Sequence, residues 1–171
     1  MTYIERAIEP VVRKAARDFP AVILTGPRRS GKTTLLRHLF RETHRYVSLE
    51  QPDVRAAAAE DPRTFLEWNP PPVILDEVRY VPGLMPYIKE RIDKCRGRTG
   101  LYLLTGYRSP PVPPPPPGPL PGRATMVWRL PLPYREVAKT PQATLPGQAG
   151  ARPGLHRPMF RALWQTYLMG G

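Results

Sequence analysis

The most restrictive feature of this sequence is a glycine-containing loop set between an apolar run and an amphipathic segment. Residues 21–25 (AVILT) have the composition of a strand that is buried in a parallel sheet. They lead directly into residues 26–33 (GPRRSGKT), and then into LLRHLF, whose apolar positions recur at helical spacing. A strand, a tight loop and a helix in this order place the loop at the carboxyl edge of an α/β sheet.

Residues 26–33 match the pattern G-x-x-x-x-G-K-[ST] at every fixed position. In this pattern the loop N–H groups and the N-terminus of the next helix bind phosphate oxygens. Lys32 supplies a cation between the β- and γ-phosphates, and the Thr33 hydroxyl is a ligand for Mg²⁺. The motif therefore predicts phosphate binding by the whole loop: Gly26, Pro27, Arg28, Arg29, Ser30, Gly31, Lys32 and Thr33.

A second apolar run, residues 73–75 (VIL), ends in the acidic pair Asp76 and Glu77. At the carboxyl edge of a sheet, Asp76 can bind Mg²⁺ directly or through water. Glu77 can orient and deprotonate a water molecule that attacks the γ-phosphate. Two acids at the end of a strand are often only solvated surface groups. Together with the phosphate loop, they favour hydrolysis of ATP.

Strand-like runs alternate with helix-like segments along the chain. Residues 4–19 (IERAIEPVVRKAARDF) have helical spacing, and Pro10 is placed to begin a second helix there. Alternation of this kind predicts an α/β fold, with a parallel sheet of about five strands and helices on both faces. The predicted strands are residues 21–25, 45–50, 71–77, 101–106 and 124–130.

Composition and charge narrow the class of protein. The 171 residues carry a formal net charge of +12, but the basic residues are scattered, which leaves contact with nucleic acid open. The single cysteine, Cys95, excludes an internal disulfide and favours a reducing compartment. The first residues lack the apolar segment of a secretory signal, and no run is long enough to span a membrane. We therefore expect a cytoplasmic protein without a membrane segment.

Four stretches in chain order resemble bacterial and archaeal AAA-type ATPases in which the ATPase core precedes a C-terminal domain of unknown function. They are FPAVILTGPRRSGKTTLLRHLF, YVSLEQPDVRAAAAEDPRTFLE, PPVILDEVRYVPGLMPYIKERID and GLYLLTG. The similarity covers residues 1–106 closely and residues 120–171 in patches. It implies an AAA-like P-loop core with an extra strand between the loop strand and the strand that ends at Asp76. It also implies hydrolysis of ATP with Mg²⁺.

The resemblance extends the set of expected site residues. It adds Thr34 to the phosphate-binding residues, and it assigns magnesium to Thr33 and Asp76. Its sensor region, which touches the γ-phosphate or the water, corresponds to Thr105. Arg123 is the candidate for its arginine finger, and a solvated arginine beside the strand is the alternative at that position. The expected catalytic residues are thus Lys32, Glu77, Thr105 and Arg123. Because the arginine finger of AAA-type enzymes usually comes from a neighbouring subunit, a homo-oligomer is also expected.

The chain departs from the family pattern at several positions. Arg29 and Arg79 stand where the family usually has glutamine, and Tyr107 and Arg108 replace the residues expected after Gly106. Residues 110–121 contain nine prolines in twelve positions; such a run cannot join a sheet and predicts polyproline II or disorder. The sequence therefore resembles a truncated, partly degenerate member.

The expected domain organisation follows from these patterns. It consists of an N-terminal helical segment (1–17), an AAA-like core (18–139) interrupted by the proline-rich run, and the start of a truncated C-terminal region (140–171). An amphipathic helix is expected near the end, over residues 156–169.

Two other functions remain open on the sequence. The chain could be a nucleotide-dependent switch or binding module, associated with DNA, in which turnover is negligible. A small-molecule phosphotransferase would need an arginine-bearing lid, for which Arg96 and Arg98 are the candidates.

Overall fold

A computed structural model describes residues 3–106 and 120–128. Every helix and strand given below lies in one compact unit, Ala7–Pro131. Residues 110–119 of the run predicted over 110–121, and the helix expected over residues 156–169, lie outside the described residues. Within the described residues, no helix combines the length and apolar character needed to cross a bilayer.

Five strands form one parallel sheet, as the alternation of strands and helices predicts. They are β1 (Ala21–Thr25), β2 (Arg45–Ser48), β3 (Val73–Asp76), β4 (Tyr102–Thr105) and β5 (Ala124–Trp128). Their order across the sheet is β2-β3-β4-β1-β5, and all pairings are parallel. The strand β4 therefore lies between β1 and β3, which is the extra strand that the resemblance implied. The predicted α/β class is confirmed.

The described residues form five α-helices, of which the first precedes β1 and the others lie between β1 and β4. They are α1 (Glu9–Asp18), α2 (Lys32–Phe40), α3 (Pro52–Glu60), α4 (Pro62–Trp68) and α5 (Met85–Lys94), with short 3₁₀ turns at Val78–Tyr80 and Pro82–Leu84. The prediction of a helix on both sides of Pro10 is wrong, because the described residues before Glu9 are not helical. Proline has no N–H, so it fits the first turn of α1, where the N–H groups have no partner within the helix.

Helices cover both faces of the sheet. Alternate residues of the strands, such as Ile23 and Leu75, share one apolar cluster with Phe65 of α4 and Ile88 of α5. On the opposite face α1 packs on β1, and α2 packs on β3 and β4. Their buried contributions include Val12, Ala15, Leu35 and Leu36. This two-sided burial explains why β1, β3 and β4 are buried along their whole length and are apolar except at their ends.

The end of the proline-rich run belongs to this core. Leu120 is 1% exposed, and its carbonyl accepts the N–H groups of Arg123 and Ala124, each at 3.1 Å. The irregular segment predicted for residues 110–121 thus ends in an ordered turn that leads into β5.

Candidate functional site

The loop between β1 and α2 turns through three residues with left-handed backbone. The φ angles of Gly26, Arg29 and Gly31 are 145°, 58° and 78°. Arg29 carries a Cβ, so its conformation costs about 1–2 kcal/mol and the rest of the loop has to hold it. Gly31 caps the N-terminus of α2, where the first N–H groups lack partners within the helix. Successive N–H groups in this arrangement form a concavity that binds anions.

Lys32 is folded into the loop that it follows. Its Nζ donates to the carbonyl oxygens of Pro27 at 2.8 Å and Gly26 at 3.2 Å. The residue is only 9% exposed, so its positive charge lies within the loop. Ser30 is also buried, and its Oγ has no hydrogen-bond partner within the described part of the chain. A buried hydroxyl without a partner costs about 1–3 kcal/mol. A phosphate oxygen would supply the missing acceptor.

Four other predicted phosphate-binding residues lie at the surface of the loop and of the first helical turn. They are Pro27, Arg28, Arg29 and Thr34, and all four are exposed. Exposure of their side chains agrees with a site that binds phosphate mainly through backbone N–H groups. The two arginines add positive charge at the outer face of the loop.

Three hydroxyl groups from three different elements converge on the carboxylate of Asp76. Thr33 on α2 donates to Oδ1 at 2.9 Å and to Oδ2 at 3.0 Å. Tyr46 on β2 donates to Oδ2 at 2.8 Å, and Thr105 on β4 donates to Oδ1. Asp76 itself is 4% exposed. The phosphate loop, the strand carrying the acidic pair and its two neighbouring strands therefore meet at one buried carboxylate.

The contact between Tyr46 and Asp76 was not predicted from the sequence. It pairs with Ile74 in the parallel register, two residues before the Ser48–Asp76 pair, so its long side chain reaches Asp76 along the strand. Burial, together with the hydrogen bond to Asp76, raises the pKa of Tyr46 to about 12. The phenol therefore stays protonated and remains a donor throughout the physiological pH range.

Glu77 directly follows β3, and its own backbone is left-handed, with φ 60° and ψ 46°. Its backbone N–H donates to Thr105 Oγ1 at 3.1 Å, so one threonine hydroxyl contacts both acidic residues. Its Oε2 lies 3.0 Å from Nε of Arg79, and the two side chains are 19% and 21% exposed. That ion pair lacks the alignment of a hydrogen bond. Arg79, a departure from the family pattern, thus holds the residue expected to activate water.

Gly106 packs directly against Glu77. It has a φ of 78°, and a Cβ added to it would lie 2.6 Å from the Cα of Glu77 and 2.5 Å from its Oε2. No real Cβ makes contacts this short, so only glycine fits at this position without a shift of the backbone around Glu77.

Arg123 lies apart from this cluster. It precedes β5, and its carbonyl accepts the N–H of Ala21 at the start of β1, whereas the phosphate loop follows the end of β1. Five residues of strand, about 17 Å, separate the two edges. The guanidinium forms a two-point pair with Asp93, at 2.5 Å from Nε and 3.0 Å from Nη2. This pairing lowers the pKa of Asp93. Arg123 is therefore not brought to the phosphate loop of its own chain.

The residues around Asp76 fit a magnesium ion. The hydroxyl of Thr33 and the carboxylate of Asp76 are hard oxygen ligands, and Mg²⁺ is usually held by one or two such groups together with substrate phosphates. Because Thr33 donates its hydrogen to Asp76, its lone pairs are available to a cation. In residues 3–106 and 120–128 there is no cluster of three or more His, Cys, Asp or Glu side chains that could hold a metal.

A cavity of about 310 Å³ lies elsewhere, beside α4 and α5. Its charged side chains pair with one another: Glu90 with Arg63 and Lys94, and Arg91 with Glu67. None of the predicted site residues lines it.

Comparison with known proteins agrees with this geometry. The chain is 29% identical over 129 residues to uncharacterized proteins of Mycobacterium bovis and Mycobacterium tuberculosis. The alignment covers 75% of this chain and 29% of each relative, so the chain spans under a third of their length. A family model described as an AAA domain matches residues 18–138, which is well over half of the chain. The chain therefore belongs to this family of AAA domains and carries a nucleotide-binding module of the P-loop type.

Proposed function

We propose that this chain binds Mg²⁺–ATP and hydrolyses it to ADP and phosphate. The observation that carries the proposal is the hydrogen bond from Thr33 of the phosphate loop to Asp76 at the end of β3. That contact joins the predicted phosphate site to the predicted magnesium ligand, with Glu77 next in the chain. The family match supports the binding of a nucleotide, whereas the hydrolytic step rests on the chemistry of these residues.

In this proposal the loop binds the β- and γ-phosphates through its N–H groups and the N-terminus of α2. The ammonium of Lys32 lies within the same loop, against the carbonyls of Gly26 and Pro27. It can exchange those contacts for phosphate oxygens, which carry full negative charge. Ser30 Oγ gains an acceptor in the same step.

Thr33 and Asp76 would hold the magnesium ion, with Asp76 acting directly or through water. Bound there, Mg²⁺ neutralises charge that develops on the phosphate oxygens during transfer. Thr105 fixes the geometry of both acids, since its hydroxyl donates to Asp76 and accepts the N–H of Glu77.

Glu77 would act as general base. Its carboxylate takes a proton from the attacking water as the water oxygen bonds to the γ-phosphorus and the bond to the ADP oxygen breaks. To do so, the carboxylate must turn away from Arg79, with which it is paired at 3.0 Å. Hydrolysis therefore requires a side-chain rearrangement at this position.

That same pair favours a second function, a nucleotide-dependent switch with negligible turnover. In this alternative ATP and ADP stabilise different conformations of the loop, while Glu77 stays bound to Arg79. The position of Arg123, at the edge of the sheet opposite the loop, is consistent with slow turnover by a single chain. An arginine finger is worth a factor of about 10³–10⁵ in rate.

The nucleotide site is tested with a fluorescent ATP analogue and the variant Lys32→Ala. We expect most of the affinity to be lost, because the phosphates lose the cation held within the loop. Lys14→Ala is the matched control, since Lys14 is an exposed lysine on α1 that pairs with Asp18. Equal affinity of Lys32→Ala and the parent chain would refute the phosphate site.

The hydrolytic step is tested by single-turnover assays of Glu77→Gln. We expect nearly unchanged ATP binding and hydrolysis slower by about 10²–10⁴, the usual contribution of a general base. Glu42→Gln, at an exposed glutamate paired with Arg41, should match the parent chain. A parent chain that binds ATP but shows no hydrolysis would favour the switch.

A further inference from the structure

The hydroxyl of Tyr46 makes a contact that the proposed reaction does not yet use. It donates to Oδ2 of Asp76 at 2.8 Å, from an edge strand that carries none of the predicted site residues. Thr105 donates to the other oxygen, Oδ1, from the strand on the opposite side of β3. Each neighbouring strand therefore supplies one donor to the carboxylate, in addition to Thr33, which contacts both of its oxygens.

We propose that Tyr46 is a positioning residue that orients the Asp76 carboxylate for the magnesium ion. The proposal rests on the proposed function, because it concerns how the same carboxylate meets its metal. A carboxylate on a short side chain can rotate about its last bond, and rotation would change which lone pairs face the ion. Donors on both oxygens fix that rotation.

The surroundings of Tyr46 keep its hydroxyl in place. The guanidinium of Arg37, on the same helix as Thr33, lies over the phenol ring, with its Cζ 4.8 Å from the ring centroid. The ring is also partly buried, which adds to this restraint. Tyr46 thus connects α2, which begins at the phosphate loop, to the acid at the end of β3. A phenylalanine would preserve the ring and its contact with Arg37, so that substitution removes only the hydroxyl, with its hydrogen bonds to Asp76 and Ser48.

Groups that orient a metal-binding residue usually contribute a factor of about 10–100 to metal affinity or activity. We therefore expect Tyr46→Phe to raise the Mg²⁺ concentration needed for half-maximal ATP hydrolysis by about 10-fold or more. Binding of the ATP analogue in EDTA, which needs no metal, should stay the same. If Tyr46 had only a structural role, Tyr46→Phe would instead weaken Mg²⁺ binding and metal-free binding of the analogue together, in proportion to the loss of stability.

The experiment compares the parent chain, Tyr46→Phe and Tyr87→Phe. Tyr87 is the matched control, because its ring is also covered by an arginine, Arg63 at 5.3 Å, yet it lies away from Asp76. For each protein, calorimetry measures Mg²⁺ binding in the presence of ADP, urea unfolding measures stability, and phosphate release is titrated with Mg²⁺.

Weaker Mg²⁺ binding in Tyr46→Phe alone, with metal-free nucleotide binding retained, supports the positioning role. Mg²⁺ binding equal to that of Tyr87→Phe refutes it, as does a loss of metal-free nucleotide binding in proportion to lost stability. Failure of the proposed function looks different, since the parent chain itself would then bind no nucleotide or release no phosphate. Calorimetry still reports on Tyr46 if nucleotide binds but turnover is absent.

Discussion

Replacing Gly106 with alanine should separate nucleotide binding from hydrolysis. A Cβ at this position would lie 2.6 Å from the Cα of Glu77 and 2.5 Å from its Oε2. The added methyl group must therefore displace the backbone and the side chain of Glu77. The phosphate loop follows β1, the strand beside β4 in the sheet, and it keeps its own contacts.

The structure provides a control that isolates this contact. Gly97 has the same φ of 78°, but nothing lies within 4 Å of an added Cβ. For Gly97→Ala, a left-handed alanine costs about 1–2 kcal/mol, and a less flexible unfolded chain returns about 0.4–1 kcal/mol. The net loss of unfolding free energy is then about 1 kcal/mol. Gly106→Ala adds an overpacking cost of about 1–3 kcal/mol, for a total of about 2–4 kcal/mol.

Urea unfolding of both variants measures these free energies, and single-turnover assays measure hydrolysis. We expect Gly106→Ala to bind ATP under all conditions in which the variant is folded. Hydrolysis should fall by about 10²-fold, the effect of misplacing a catalytic group by about 1 Å. If Gly106→Ala is as stable as Gly97→Ala and hydrolyses ATP at the parent rate, the close packing against Glu77 has no role in positioning the base.

Three further predictions follow from the contacts at the site. Arg79→Gln should speed single-turnover hydrolysis about 2- to 5-fold, because an ion pair worth up to about 1 kcal/mol no longer restrains Glu77. An equal or slower rate would show that the pair does not limit the base. Tyr46 and Tyr102 both have a pKa raised to about 12 by burial, compared with 10.0 for an ordinary tyrosine. The stability that these two protonated tyrosines contribute is therefore complete below pH 10 and is lost as the pH rises towards 12. Urea unfolding across that range measures this loss, and a constant unfolding free energy would contradict the prediction. Because Arg123 is paired with Asp93 away from the loop, a single chain should bind ATP yet release phosphate slowly. Rapid steady-state release by a chain that light scattering shows to be monomeric would contradict this.

The sequence predicts the strands well where burial is continuous. Residues 21–25, 73–76 and 102–105 are buried along their length, and an apolar run without polar alternation is the pattern expected for strands covered on both faces. Helical periodicity is less informative in the N-terminal segment, because residues 4–8 share it and are not helical. The helix begins at Glu9, and Pro10 lies in its first turn, where no N–H is needed within the helix.

Side-chain contacts within the site depend on strand register and backbone handedness, which a residue pattern does not contain. The contact between Tyr46 and Asp76 requires that β2 and β3 be adjacent and parallel, with Ser48 opposite Asp76. Arg79 is only two residues from Glu77, but their pairing depends on the left-handed turn at Glu77. The loop itself could be predicted because its spacing alone sets which groups can face a phosphate.

The strand order has a consequence for how the chain folds as it is synthesised. Both neighbours of β1, the strand that carries the phosphate loop, come late in the sequence: β4 begins at Tyr102 and β5 at Ala124. Until residue 128 has left the ribosome, β1 lacks at least one of its partners and exposes an apolar edge on which other chains can pair. The nucleotide site itself needs β4, because Thr105 at the end of that strand contacts both Asp76 and Glu77. Capture of nucleotide by a nascent chain would therefore report that synthesis has passed β4.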